Sequence, residues 1–342
     1  MGDVVTEGVV VTPRHASSYI EAGPKDGPPI LFLHGWPELA ISWRHQLPAM
    51  ASLGFRAIAP DMRGYGRSTV YPRQEDYALE QSVRDMIELL DGLGIAKAVV
   101  VGHDWGSPVA WSLARHHPDR VIAVASLCVP YDTIECGLER LIGLVDRSIY
   151  PEATHPAGQW DYMLFYEENF ARATSVFQAN VRATVKALFR TANPADRRKP
   201  AVTSQVRAQG GWLGGAAEMP DVPMDPDVLT EADLAAYTAA LTRNGFFGPD
   251  SWYMNHRANA AYTATKASRR LEMPVLFLDA QNDFVCYTVE GRLAESMLAL
   301  CPDLTRHVID SGHWMAQQRP REVNAALAKW LAAKSGIWSY GF

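Results

Sequence analysis

Three residues in chain order carry groups able to make and break bonds, and each follows an apolar run of strand length. Asp104 lies in Gly102-His103-Asp104-Trp105-Gly106, directly after Ala98-Val99-Val100-Val101. Asp283 ends Asp279-Ala280-Gln281-Asn282-Asp283, after Val275 to Leu278, and His313 lies in Asp310-Ser311-Gly312-His313-Trp314, after the run that closes at Ile309. Small-X-nucleophile-X-small at the end of a buried strand is the pattern of a nucleophile elbow. There the glycines permit a strained strand-to-helix turn that lifts one side chain into a cleft. The elbow is usually written with serine, which needs a base before it attacks. A carboxylate is already ionised at neutral pH and attacks saturated carbon, as in an epoxide or haloalkane, to give an ester. Aspartate at this position therefore narrows the chemistry from acyl transfer to displacement at carbon.

The positioning elements follow from the apolar runs. Ile30 to Leu33, Ala57 to Ala59, Ala98 to Val101, Val121 to Val129, Val275 to Leu278 and Val308-Ile309 have strand length, with helical stretches between them. Continuous apolar strands separated by helices predict a parallel sheet covered on both faces. Val83, Met86, Ile87, Leu90 and Leu93 keep the spacing of one buried helical stripe, and Val323, Ala326, Leu327, Trp330 and Leu331 that of another. Loops leaving the carboxyl ends of such strands converge on one edge, and all three candidates sit in such loops. Nucleophile, then acid, then histidine is the α/β-hydrolase order. Taken singly, Asp283 reads as a helix cap and His313 as a loop histidine; the ordered trio reads as a site.

The strand-helix rhythm breaks between about Pro130 and His256. This stretch holds the aromatic segment Trp160 to Tyr166, the glycine-rich Gly210-Gly211-Trp212-Leu213-Gly214-Gly215, and a capping box, Thr230-Glu231-Ala232-Asp233, that opens a helix stopping near Asn244-Gly245. The expected division is an α/β-hydrolase core over 1–130 and 257–342 with an inserted helical lid over 131–256.

Bulk properties exclude several classes. The 342 residues are 48% hydrophobic and 20% charged with a net charge of −6, which suits a globular enzyme and argues against a nucleic-acid binder. Cys128, Cys136, Cys286 and Cys301 have no CxxC spacing, so the thiols read as free in a reducing cytoplasm, with no metal expected. No apolar run approaches the roughly 18–20 residues of a membrane span, and the N-terminus lacks a secretory pattern. Met1-Gly2-Asp3-Val4-Val5-Thr6 fits the loose myristoylation pattern, but its valines read as early strand.

An oxyanion site needs two backbone donors. One is expected from Trp105, just after the nucleophile, and the other from Trp36 in His34-Gly35-Trp36-Pro37-Glu38, where Trp36-Pro37 also reads as a rigid turn.

Taken together, His34-Gly35-Trp36-Pro37, Asp61-Met62-Arg63-Gly64-Tyr65-Gly66-Arg67-Ser68, the Asp104 elbow, Asn282-Asp283-Phe284 and Gly312-His313-Trp314 resemble the soluble epoxide hydrolase family. The likeness spans nearly the whole chain and is to the hydrolase domain alone, without the extra phosphatase domain of the mammalian enzyme. It implies that two lid tyrosines hold the epoxide oxygen beside the nucleophile. Asp161-Tyr162 and Gly245-Phe246-Phe247-Gly248-Pro249-Asp250-Ser251-Trp252-Tyr253 resemble their contexts, which carries the roles to Tyr162 and Tyr253, with Tyr166 as runner-up for the first. A phenol with an ordinary pKa near ~10 stays protonated at neutral pH yet donates strongly.

The expected reaction converts an apolar epoxide and water to a vicinal diol through an ester on Asp104. His313, oriented by Asp283, then activates water, and the amides of Trp36 and Trp105 hold the oxyanion. Glu38 is expected to help position that water. No cofactor is needed; monomer or homodimer, membrane insertion absent, cytoplasmic, with a role such as detoxification, completes the expectation. The rival is haloalkane dehalogenase, which needs halide donors such as the Trp105 indole plus a second and has no use for paired phenols. Fluoroacetate dehalogenase would want Arg in place of Trp105, a binding module would tolerate a degraded site, and a serine esterase would need Ser107 at the elbow.

Overall fold

A computed structural model describes residues 5–334 and 336; the myristoylation pattern centred on Gly2 lies outside them. Eight strands form one sheet in the order β1-β2-β4-β3-β5-β6-β7-β8: β1 Thr6–Val11, β2 Ala16–Ala22, β3 Pro29–Leu33, β4 Arg56–Pro60, β5 Ala98–His103, β6 Val121–Leu127, β7 Val275–Ala280 and β8 Leu304–Ile309. The pairs from β4 to β8 are parallel, while β1–β2 and β2–β4 are antiparallel. Every residue of β3, β4, β5 and β7 is buried, as expected for central strands covered by helices on both faces. This is the α/β-hydrolase fold.

Departures from the sequence reading lie at the sheet's margins. β2, Ala16-Ser17-Ser18-Tyr19-Ile20-Glu21-Ala22, carries too few apolar residues to stand out, because its polar groups bond to neighbouring segments. The Ser18 amide donates to Ser68 Oγ at 2.9 Å, and Glu21 accepts from Arg56 at 3.0 Å. β8 begins four residues before the expected Val308; as an edge strand it leaves Thr305, Arg306 and His307 partly exposed. β6 stops at Leu127 rather than Val129, where Cys128 at φ 69° turns the chain.

The first predicted helical stripe lies on Leu79–Gly92, with Val83, Met86 and Leu90 buried and Ile87 and Leu93 partly so. The second lies on Pro320–Ala333. Between β6 and β7 the described residues form helices without a strand, chiefly Asp161–Ala179, Val181–Leu188, Glu231–Asn244, Phe247–Ser251 and His256–Ala264. The capping box forms: the Asp233 amide donates to Thr230 Oγ1 at 3.2 Å, and Asp233 accepts from the Thr230 amide at 2.8 Å. That helix ends at Gly245, φ 70°. His256–Ala264 returns the chain to the sheet, with Asn259 accepting from the Leu79 amide at 2.9 Å. Among the described residues no helix is long and apolar enough to cross a membrane.

Candidate active site

Asp104 follows β5 with φ 48°, a left-handed conformation that strains a residue bearing a Cβ, and the helix Gly106–His116 starts two residues later. The turn needs a small residue behind it, since a Cβ on Gly106 would lie 2.1 Å from the Leu33 carbonyl oxygen. The loop after β3 crosses the top of the elbow. A Cβ on Gly35 would lie 2.4 Å from Asp104 Oδ1 and 2.7 Å from the Trp105 nitrogen, so only glycine lets this loop approach so closely. The Trp36 amide donates to Asp104 Oδ1 at 2.6 Å, and the Trp36–Pro37 peptide is cis. Trp36 and Trp105, the two expected oxyanion donors, thus flank the carboxylate on loops that follow adjacent parallel strands.

His313 bridges the two acids. Its Nδ1 meets Asp283 Oδ2 at 2.6 Å, and its Nε2 stands 3.5 Å from Asp104 Oδ2. Asp283 is further held by the amides of Val285 and Cys286, which donate to Oδ1 at 3.1 and 2.9 Å. Burial raises the Asp283 carboxyl, but the His313 charge, its hydrogen bond and the two amides outweigh that and lower it. Burial works against charging His313, yet Asp283, together with the bonds to both acids, holds its pKa well above the ordinary value.

Glu38 occupies a bracing position. Its Oε2 accepts from the Gly35 amide at 2.9 Å and from His103 Nδ1 at 2.7 Å, and its Oε1 accepts from Gln317 at 2.8 Å. Burial opposes its charge, but His103 brings its pKa down to about 2; His103 is lowered by burial and raised more by Glu38, to about 10. The carboxylate is committed to tying the oxyanion loop to the elbow. Its expected part in positioning a water would be played by a carboxylate that is 1% exposed and already accepts three hydrogen bonds.

The insertion delivers the phenols. Asp161 accepts from the Arg207 amide and guanidinium at 2.8 and 2.7 Å, which anchors the start of the helix carrying Tyr162. The Tyr162 and Tyr253 rings lie 5.5 Å apart at 71°, and Tyr253 also meets Trp105 edge-on at 5.2 Å. Burial raises both phenols well above their ordinary value; the Asp104 charge pushes each in the same direction, so both stay protonated beside it. Tyr166 faces elsewhere: its hydroxyl donates to Asp250 Oδ1 at 3.1 Å.

Asp250 escaped the sequence reading although it lies inside the segment that identified Tyr253. It is fully buried, and its Oδ1 also accepts from Trp36 Nε1 at 2.8 Å. The signal was a charged residue between Pro249 and Trp252 in an otherwise apolar stretch. His103, Cys128 and His313 offer ligand atoms within 4.8 Å of one another. Those atoms are already engaged, since His103 Nε2 and Cys128 Sγ both bond the His313 carbonyl oxygen and His103 Nδ1 bonds Glu38. The cluster braces the base rather than offering a cation a place.

A model of the α/β hydrolase fold family matches residues 28–320. Epoxide hydrolase A of Mycobacterium tuberculosis is 32% identical over 95% of this chain and 97% of its own length. Bifunctional epoxide hydrolase 2 of Sus scrofa is 33% identical over 94% of this chain and 54% of its own; the chain thus spans about half the length of the mammalian relatives it matches. The crystal structure of epoxide hydrolase A from Mycobacterium thermoresistibile superposes with a TM-score of 0.78 at 32% identity, covering 96% of this chain and 98% of that one.

Proposed function

This chain belongs to the α/β-hydrolase fold family and, within it, to the epoxide hydrolases; from that premise we propose that it opens an apolar epoxide with water to a vicinal diol through an ester on Asp104. The single observation that carries the mechanism is a carboxylate held at φ 48° between the Trp36 amide, the His313 imidazole and two protonated buried phenols.

Asp104 attacks one epoxide carbon from the side opposite the ring oxygen. The C–O bond breaks as Tyr162 and Tyr253 donate to that oxygen, and a phenol proton completes the hydroxyl. A carbon–oxygen ester bond now joins the ligand to Asp104, whose charge is gone. His313 takes a proton from water, which adds to the ester carbonyl, and the amides of Trp36 and Trp105 stabilise the oxyanion. Collapse breaks the acyl–oxygen bond: the imidazolium proton passes to the departing alkoxide and completes the diol, and the proton left on the Asp104 acid returns to the tyrosinate, restoring carboxylate, imidazole and phenol. Asp283 balances the imidazolium that forms in between.

Residues 131–256 act in this reading as a lid that supplies the oxygen-binding phenols, over a core of 1–130 and 257–342. The haloalkane reading loses Trp36 as its second donor, because Trp36 Nε1 is held by Asp250, and it has no use for the paired phenols.

The test is intact-protein mass spectrometry of His313→Gln with an aryl epoxide. An adduct of substrate mass that persists supports the scheme, and its loss on adding Asp104→Ala places the bond. No adduct with a reactive epoxide would overturn it.

A further inference from the structure

We propose that Asp250 is a positioning residue that fastens the oxyanion loop to the helical insertion. It thereby sets where the Trp36 amide and the Tyr162 and Tyr253 phenols stand relative to Asp104. The inference rests on the ring-opening reading above.

One carboxyl oxygen gathers three segments. Asp250 Oδ1 accepts from Trp36 Nε1, on the loop whose amide donates to Asp104, and from the Tyr166 hydroxyl, one helical turn beyond Tyr162. Asp250 itself lies three residues before Tyr253, whose ring stacks flat on Tyr166 at 4.8 Å and 4°. Trp36 also meets Tyr253 edge-on at 6.0 Å. Thr174, from the same helix as Tyr166, is a further polar neighbour. Moving Asp250 Oδ1 therefore moves the loop holding one oxyanion donor and both supports of the phenols.

The electrostatics set this carboxyl apart from the others of its kind. The other aspartates with no exposure each hold an arginine: Asp85 has Arg63 and Arg14, Asp132 has Arg140 and Arg269, and Asp279 has Arg306. Among the described residues Asp250 has no ion-pair partner; the titratable groups that sense its charge are the phenols of Tyr166 and Tyr65. A buried carboxyl without a cation costs free energy that a packed apolar side chain would not. What it supplies instead is direction. Two donors from different segments converge on one oxygen, and reacting groups must be held to within roughly 0.5 Å. A latch without a cation also suits this place, since a cation here would favour ionised phenols.

The experiment measures single-turnover rates of ester formation and ester hydrolysis by stopped-flow tryptophan fluorescence with styrene oxide, in wild type, Asp250→Leu, Asp250→Asn, Trp36→Phe and Tyr166→Phe. Such rate constants do not depend on the fraction folded, so lost stability alone leaves them unmoved. Asp250→Leu should slow both steps by about 10- to 100-fold, the scale of an ångström-sized misplacement. Asp250→Asn, which keeps an accepting oxygen, should restore them to within about fivefold of wild type. Trp36→Phe should slow hydrolysis more than ester formation, Tyr166→Phe the reverse, and neither should add to the effect of Asp250→Leu. Rates within twofold of wild type for Asp250→Leu would overturn the inference. If that variant does not fold, unchanged rates in both Phe variants would do so. Wild-type ester formation in the same traces keeps the ring-opening reading standing whichever way Asp250 falls.

Discussion

The two sides of the Asp104 carboxylate are held by opposite means. On the sheet side the partners are charged and directional: Asp283 on His313 at 2.6 Å, Glu38 on His103 at 2.7 Å, and amides on loops fixed by parallel strands. On the insertion side the partners are neutral and aromatic. Tyr162, Tyr166, Tyr253, Trp212 and Phe177 pack ring against ring, and the carboxyl among them, Asp250, is pushed up to about 7 by burial, against the hydrogen bonds it accepts from Trp36 and Tyr166. The chemistry accounts for the division. Attack and water activation need a stable anion and a base whose proton has somewhere to go, and ion pairs provide both. Ring opening needs donors that keep their protons next to that anion, and an apolar setting without cations, together with the anion itself, raises the phenols.

Removing the insertion side's protons should have the largest effect. Tyr162→Phe and Tyr253→Phe should each slow ester formation by about 10²-fold, as for loss of one oxyanion donor, and the double variant by more, while hydrolysis of preformed ester changes little. Equal losses in both half-reactions would break the division between the two sides.

Acid should act on the sheet side alone. Ester hydrolysis needs neutral His313, whose pKa is raised chiefly by Asp283, so hydrolysis is full at high pH and falls as pH drops through a value above the ordinary 6.5. Ester formation does not use His313 as a base, so it persists lower. Below the His313 pKa, hydrolysis should therefore slow by about tenfold per unit and ester accumulate, as read by mass spectrometry of acid-quenched samples. Ester levels independent of pH would remove His313 as the base.

The smallest effect tests the insertion as scaffold. Thr230→Ala removes the capping box of Glu231–Asn244, distant in sequence from either phenol, and should cost about 1 kcal/mol, seen as a Tm lowered by a few degrees. The rate constants should be unchanged; a matching loss of rate would mean that the phenols depend on global rigidity rather than on local packing.

Much of this was legible from residues that act through short-range rules. The glycine frame of Asp104, the capping box at Thr230 and the apolar periodicities of the central strands depend on neighbours a few positions away, so pattern reading reaches them. β2 was not legible, because it carries polar residues whose partners are distant in the chain, as Glu21 accepts from Arg56. Nor were the partners of Glu38, because His103 and Gln317, which donate to it, lie 65 and 279 residues away in the chain.

By itself, then, the amino-acid order determined the type and sequence of the candidate groups and the sheet that must carry them, since elbow sterics and strand hydrophobicity are local properties. Only the tertiary structure showed what holds Tyr166: it lies one turn from Tyr162 on the same helix, and its hydroxyl donates to Asp250, 84 residues away, a contact that no local rule reaches.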